Sequence, residues 1–408
     1  MTNETAIAEQ HDRSKPVAAL LALLLALSSL VFIEPAPYDL LAIVFFVGLL
    51  VSGMRLPREI HTAVALLGIF LLGNFFASIM VAEPLGTLRS LSIRVYMVLI
   101  WLLIVAVVSL HPKRMLAALW AGYIIAAVVA TVWGALEYFG FIQNDLWQAG
   151  LRAKGPFKDP NVFGPFLVPA AVYSLRRLAS PGAAVKCLFT GMFFALSFGI
   201  LVSFSRGAWI NFSIAISLYA IFALWTAPSL RARLQWLGAG TLMLVLIVAL
   251  LGFAVSQKTI GDRFFQRAVL TQKYDVARGG RFASQQKALK RIAGDPIGVG
   301  PGRSHDEFGL EPHNVYLHVA VEGGWLAAIG WLGFLGLTLY RSLPLFRAPE
   351  PLRHEFFVVF SSLAGVLTQS MFIDSTHWRH LWLLLALVWT LIIATQRMDS
   401  PRQPGSTT

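Results

Sequence analysis

The residues best equipped for chemistry fall in one stretch, Gly298–Gly324, reading GVGPGRSHDEFGLEPHNVYLHVAVEGG. A glycine-broken polar loop runs there into an apolar segment through Glu311-Pro312-His313-Asn314. Histidine changes charge near neutral pH. Proline suits the first turn of a helix, where its missing N–H costs nothing, so Pro312 predicts a helix start with His313 in the first turn. The positive end of the helix dipole disfavours imidazolium and leaves a neutral ring able to take a proton. His313 is thus a candidate general base; the plainer reading is a histidine that anchors a membrane span. Arg206, in Phe204-Ser205-Arg206-Gly207, stands between two apolar runs, where an arginine either marks function or snorkels to the headgroups. Arg281 follows Gly279-Gly280 and opens a short helix, Arg281–Ala293, closed by Gly294.

These residues sit in a chain made for a bilayer. Of 408 residues, 57% are hydrophobic and 13% charged, against roughly 25% charged in soluble proteins. Repeated apolar runs long enough to cross about 30 Å of hydrocarbon predict an all-α polytopic membrane protein. The net charge of +12 points, in so apolar a chain, to anionic lipid or a lipid-linked substrate rather than nucleic acid. The lone Cys187 excludes an internal disulfide. The first apolar run follows Arg13 and Lys15 without a cleavage site behind it, and reads as a retained helix rather than a signal peptide.

Twelve spans are predicted, near 16–33, 38–53, 60–80, 92–110, 115–139, 161–178, 185–203, 207–225, 234–254, 313–340, 355–373 and 379–396. The ends, Met1–Ser14 and Asp399–Thr408, read as disordered. The chain is one transmembrane domain with a single long loop, 255–312, inserted between spans nine and ten and carrying short helices. Basic residues in the short connections put both termini on the cytoplasmic side. The long loop is then external, yet it carries Lys258, Arg263, Arg267, Lys273, Arg278, Arg281, Lys287, Lys290, Arg291 and Arg303 against fewer carboxylates. Most of these charges read as a solvated face.

On this topology three spans enter from the outer side behind polar signals. Span six opens with Lys158-Asp159-Pro160-Asn161, span eight with Ser205-Arg206 and span ten with Pro312-His313-Asn314. Asp159 and Ser205 are good N-caps and Pro160 a good first helical residue. Converging helix N-termini make an anion site, and arginine forks onto phosphate oxygens. Phosphate or pyrophosphate is therefore the expected anion, in a cationic pocket at the outer membrane boundary.

In order and spacing these pieces resemble the O-antigen ligase and polymerase superfamily. The matching residues are Gly155-Pro156-Phe157-Lys158-Asp159-Pro160-Asn161, Ser205-Arg206-Gly207, Gly280-Arg281, Pro296–Gly302, His313-Asn314-x-Tyr316-Leu317 and Glu322-x-Gly324. The resemblance implies a GT-C-like helical fold in a bacterial inner membrane. It implies a metal-independent glycosyltransferase that takes a glycan from an undecaprenyl-pyrophosphate carrier at the periplasmic face. The acceptor would be lipid A-core in a ligase or another glycan in a polymerase. By motif, Arg206 and Arg281 would bind the pyrophosphate and His313 would activate the acceptor hydroxyl. Lys158, Asn161, Gly300, Arg303 and Asn314 fall on the substrate-binding side. Glu322 holds the family's acidic position, but nine helical residues from His313 place it about 180° around and one step of four from His318. It stays outside the catalytic set.

No cofactor or metal is called for. Gly298–Gly302 lacks the Lys-Ser/Thr end of a P-loop, although its glycines suit a phosphate nest or a close approach to the membrane. His313 and His318 do not share a helix face, and His377 and His380, near Asp374 and Arg379, read as an interface anchor or acceptor contact. The rivals are a polymerase on the same donor and a transporter without bond chemistry. Transport predicts polar residues in mid-span and an internal repeat, whereas the polar signals here lie at outer helix ends.

Overall fold

A computed structural model describes residues 3–53, 56–80, 84–142, 152–238 and 280–399, with positions 240, 241, 252 and 256. Among them there is no strand, and helices follow one another through the chain. Seven helical stretches are long and apolar enough to cross a membrane, and Ser14–Ser29 and Pro37–Val51 are shorter apolar helices. The protein is an all-α polytopic membrane protein. Most of the ninth predicted span and the first part of the long loop, up to residue 279 apart from position 256, fall outside the described residues.

Helices α1 (Asn3–Ala26), α2 (Pro37–Val51), α3 (His61–Ile79), α4 (Pro84–Leu110), α5 (Pro112–Tyr138), α6 (Pro160–Arg177), α7 (Ala183–Val202) and α8 (Arg206–Thr226) form the first part. After the undescribed stretch come the short α9 (Arg281–Gly294) and α10 (Ser304–Phe308), then α11 (Val315–Ser342), α12 (Leu352–Gln369) and α13 (Arg379–Asp399). The core is aromatic and aliphatic, with Trp101, Trp331, Trp382 and Trp389 buried where α4, α11 and α13 meet.

Two expectations are corrected at the N-terminus. The first helix begins at Asn3, within the stretch expected to be disordered. The first span also ends early: Ala26 passes into a single 3-10 turn, Leu27–Ser29. Ser28 Oγ donates to Leu25 O at 2.6 Å, and Val31 N donates to Pro156 O at 3.1 Å. That bond draws the chain against the segment leading into α6, where a continuing helix would have no room for it.

The feature that shapes one end of the bundle is a break in α11 at Gly324, whose φ is +69°. The helix bonds lost there are replaced from the glycine-rich segment. Val299 N donates to Val321 O at 2.8 Å, Gly300 N to Glu322 O at 2.9 Å, and Trp325 N to Pro296 O at 2.9 Å. Buried backbone groups in a membrane protein need such partners. A Cβ on Gly324 would lie 2.3 Å from Pro296 O and 2.4 Å from Ile297 O, both backbone atoms that cannot step aside. The glycines of Pro296–Gly302 therefore serve close approach to a helix.

Gly324→Ala is expected to lower the thermal midpoint in detergent, with about 1–3 kcal/mol lost to the left-handed backbone alone and more to the contact. Gly336→Ala, in the same helix with nothing within 4 Å of the added carbon, should leave the midpoint unchanged or raise it.

Candidate functional site

A cavity of about 880 Å³ opens at one end of the bundle. Its wall takes Asp39 from α2, Arg89 and Tyr96 from α4, Lys158, Asp159 and Asn161 at the start of α6, Arg281 at the start of α9, Glu311 and His313, and Asp374, His377, Arg379 and His380 ahead of and into α13. Residues far apart in the chain meet there because helix starts meet there.

Two starts form as their sequences predict. Asp159 caps α6 by accepting from Asn161 N at 2.8 Å, with Pro160 as the first helical residue. Ser205 caps α8 by accepting from Ala208 N at 3.3 Å, which makes Arg206 the first helical residue. The two starts touch: Asn161 Oδ1 accepts from Ser205 Oγ at 2.9 Å and from Arg152 Nη2 at 2.7 Å. Arg152 reaches on to Ser203 O at 2.9 Å.

The third start differs from expectation. Helix α11 begins at Val315, and Asn314 is its cap, accepting from Tyr316 N at 3.0 Å and Leu317 N at 3.3 Å. His313 therefore precedes the helix, in the left-handed region at φ +46°. The reason is local: an asparagine side chain satisfies two orphan N–H groups at once, so it outranks the proline two residues earlier. A non-glycine residue held at positive φ costs energy and often marks a functional position.

The ring's environment still favours the neutral form. Burial pushes the His313 imidazole below its ordinary value, and the Arg281 guanidinium pushes the same way against the opposing pull of Glu311. Burial and a neighbouring cation replace the helix dipole as the cause. Arg281 is brought close because α9 is fastened to the segment that carries His313. Ser284 Oγ donates to Leu310 O at 2.6 Å and Gln285 Nε2 to Pro312 O at 3.1 Å.

The cavity thus gathers His313, Arg281, Lys158 and Asn161. Arg206 does not line it, but its neighbour Ser205 is bonded to Asn161, which does. Arg303 lies elsewhere, in a smaller depression with Arg291, Asp295 and Glu307, and pairs with Asp306 at 3.2 Å. The Gly300 N–H and the Asn314 side chain are engaged within the protein, as described above.

The wall is also less cationic than expected. Lys158 pairs with Glu34 at 2.8 Å, with Arg89 3.6 Å from the same carboxylate. Arg379 grips Asp39 through two bonds of 2.9 and 2.6 Å, and Tyr96 donates to Asp39 at 2.5 Å. These carboxylates come from short connections and helix starts distant in sequence, so only folding sets them beside the cations.

Sequence reasoning passed over Arg94. It is buried inside α4, bonded through its two terminal nitrogens to Asn74 and Glu322. Glu322, 1% exposed, also accepts from Gly302 N at 2.8 Å and Ser304 N at 3.2 Å, with His318 Nε2 at 3.2 Å. It faces His318, as the helical spacing indicates, and it fastens the loop to the helices. His318 Nε2 lies 3.4 Å from Asp374 Oδ2 in the cavity wall. Burial would raise the Asp374 carboxyl, but His318, His377 and the Thr376 N–H hold it well below the usual carboxylate range. The available signal for Arg94 was a charge embedded in an apolar run, which seldom occurs without a partner.

Residues 191–332 match the family model described as O-Antigen ligase. Over that region the chain carries an O-antigen ligase domain, and the match supports membership of the O-antigen ligase superfamily. The matched region runs from within α7 into α11 and so contains Arg206, Arg281, His313 and Glu322. None of the curated proteins matches the chain. The match supports, at a coarse level, a membrane enzyme of the glycosyltransferase type, a family whose substrates are in general glycans and lipid-linked.

Removing one member of a buried ion pair leaves an uncompensated charge and costs about 3–5 kcal/mol. Arg94→Met and Glu322→Gln are each expected to lower the thermal midpoint in detergent strongly. The double variant should lose less than the sum, which a double-mutant cycle measures.

Proposed function

We propose that the protein transfers a glycan from undecaprenyl pyrophosphate to an acceptor hydroxyl, as on lipid A-core, at the periplasmic face of the bacterial inner membrane. The observation that carries this reading is the meeting of His313 and Arg281 on one cavity wall, the imidazole kept neutral by burial and by that arginine. His313 takes the proton of the acceptor hydroxyl as its oxygen bonds to the anomeric carbon. The carbon–oxygen bond to the carrier breaks, and its electron pair leaves with the pyrophosphate. Fixed cations stabilise charge that develops on such a leaving group. Arg281 is assigned that role at the wall, with Arg206, whose neighbour Ser205 is bonded to Asn161, assigned to add positive charge. Lys158 and Asn161 are assigned to substrate binding; Arg303, Gly300 and Asn314, by their placement, act on the loop and helix start.

The orientation is part of the proposal. Twelve crossings with both termini cytoplasmic put the cavity outside, with 255–312 as a periplasmic insertion in a single transmembrane domain. Arg176, Arg177, Arg341 and Arg397 in the last turns of α6, α11 and α13 support this, since they gather at the ends away from the cavity.

Purified protein given lipid-pyrophosphate glycan and lipid A-core in detergent should form the transferred product, read by mass. His313→Ala should lower the rate by about 10²–10⁴-fold, the usual worth of a general base, while donor binding persists. Retained transfer in that variant removes His313 as the base. A glycan acceptor extended in place of lipid A-core would make the enzyme a polymerase. Consumption of donor without a vesicle interior would exclude transport alone.

A neutral base also fixes the pH dependence. The His313 value lies below 6.5, so the rate should be flat at neutral pH and fall on acidification below 6.5. Arg281→Gln removes a cation that disfavours imidazolium, so in that variant the acid limb should move to higher pH. Because no step uses a metal, excess chelator should leave the rate unchanged.

A further inference from the structure

Helix α9 has three distinct sides. One packs on the segment around α11 through Ser284 and Ala288, with Trp325 Nε1 donating to Ile292 O at 2.7 Å. A second is a mainly apolar stripe of Phe282, Leu289 and Ala293, with Gln286 beside them, spaced to fall on one side of the helix and open to the surroundings. Phe282 is 43% and Leu289 56% exposed. Lys287 and Lys290 lie roughly 80–140° further round; both are exposed and neither has an ion pair among the described residues.

The stripe does not stop at the end of the helix. Ile297, just beyond α9, is 44% exposed, and Trp325, which holds the end of α9, is 49% exposed. Trp325 begins the outward side of α11 that continues through Ile329 and Leu332, both exposed in a helix long and apolar enough to span the bilayer. Exposed apolar residues thus run from α9 through Ile297 and Trp325 to the outward side of a helix apolar enough to cross a membrane, and the lysines of α9 flank its stripe. An apolar stripe bordered by lysines is the pattern of a helix lying in a membrane interface, and lysines at that level attract anionic lipid headgroups.

We propose that α9 lies in the headgroup layer on the cavity side, with Phe282 and Leu289 in the acyl boundary and Lys287 and Lys290 on anionic lipid phosphates. The lipid contact stands apart from the proposed reaction. Its consequence, that the bilayer helps hold Arg281 at the cavity wall, rests on that reading.

The test uses full-length protein carrying Cys187→Ser, with a nitroxide at Leu289→Cys or at Lys290→Cys, in vesicles of phosphatidylcholine with phosphatidylglycerol. Oxygen collects in acyl chains and a nickel chelate in water. The label at 289 should be open to oxygen and shielded from nickel, and the label at 290 the reverse. Equal nickel access at both positions, or shielding of 289 from both reagents because protein covers the stripe, overturns the proposal. With Lys287→Gln and Lys290→Gln together, immersion of the 289 label should decrease in these vesicles and be unchanged in phosphatidylcholine alone. An equal response in both lipids overturns the headgroup contact. These readouts need no turnover, so they fail or succeed independently of the proposed reaction.

Discussion

The interruption of α11 at Gly324 is the constraint around which this end of the molecule is built. A broken helix inside a membrane protein exposes carbonyls and N–H groups that have no water to turn to. Here the Pro296–Gly300 backbone meets them, and the Glu322 carboxylate takes two further N–H groups at Gly302 and Ser304. The loop is thereby fixed to the helix at several points. Everything between α9 and α11 inherits that placement, including the turn that carries His313. A loop held in this way can present a strained residue, as His313 is, because the surroundings over-determine its conformation.

The electrostatic arrangement has two layers. Deep in the bundle, Arg94, Glu322 and His318 satisfy one another and the loop backbone, a concentration of charge that would be costly if any member lacked a partner. At the cavity, Lys158, Arg379 and Asp374 are also paired, but with groups drawn from distant parts of the chain. The two layers meet at the His318–Asp374 contact. The wall is therefore a mixed surface of cations, carboxylates and histidines.

Much of this was legible wherever the determining interaction is local. The capping side chains of Asp159 and Ser205 act within three residues, and α9 begins at Arg281 behind its glycines as the sequence indicates. The separation of Glu322 from His313 and its pairing with His318 follow from helical spacing alone. The start of α11 is less legible because two local signals, Pro312 and Asn314, compete within three residues, and the asparagine cap prevails. The early end of the first span depends on Pro156, more than a hundred residues away, and no local pattern announces it.

The amino-acid order by itself determined the membrane class, the helical periods, the caps and the set of residues capable of acid–base and anion chemistry, since these depend on composition and on neighbours within a turn or two. The tertiary structure decided which of those residues share a cavity. It set Arg281 beside His313, left Arg303 in another depression, gave the cations their carboxylates and paired Arg94 with Glu322. The reason is that charge and burial act through distance in space, and in this chain the decisive distances join residues up to 340 positions apart.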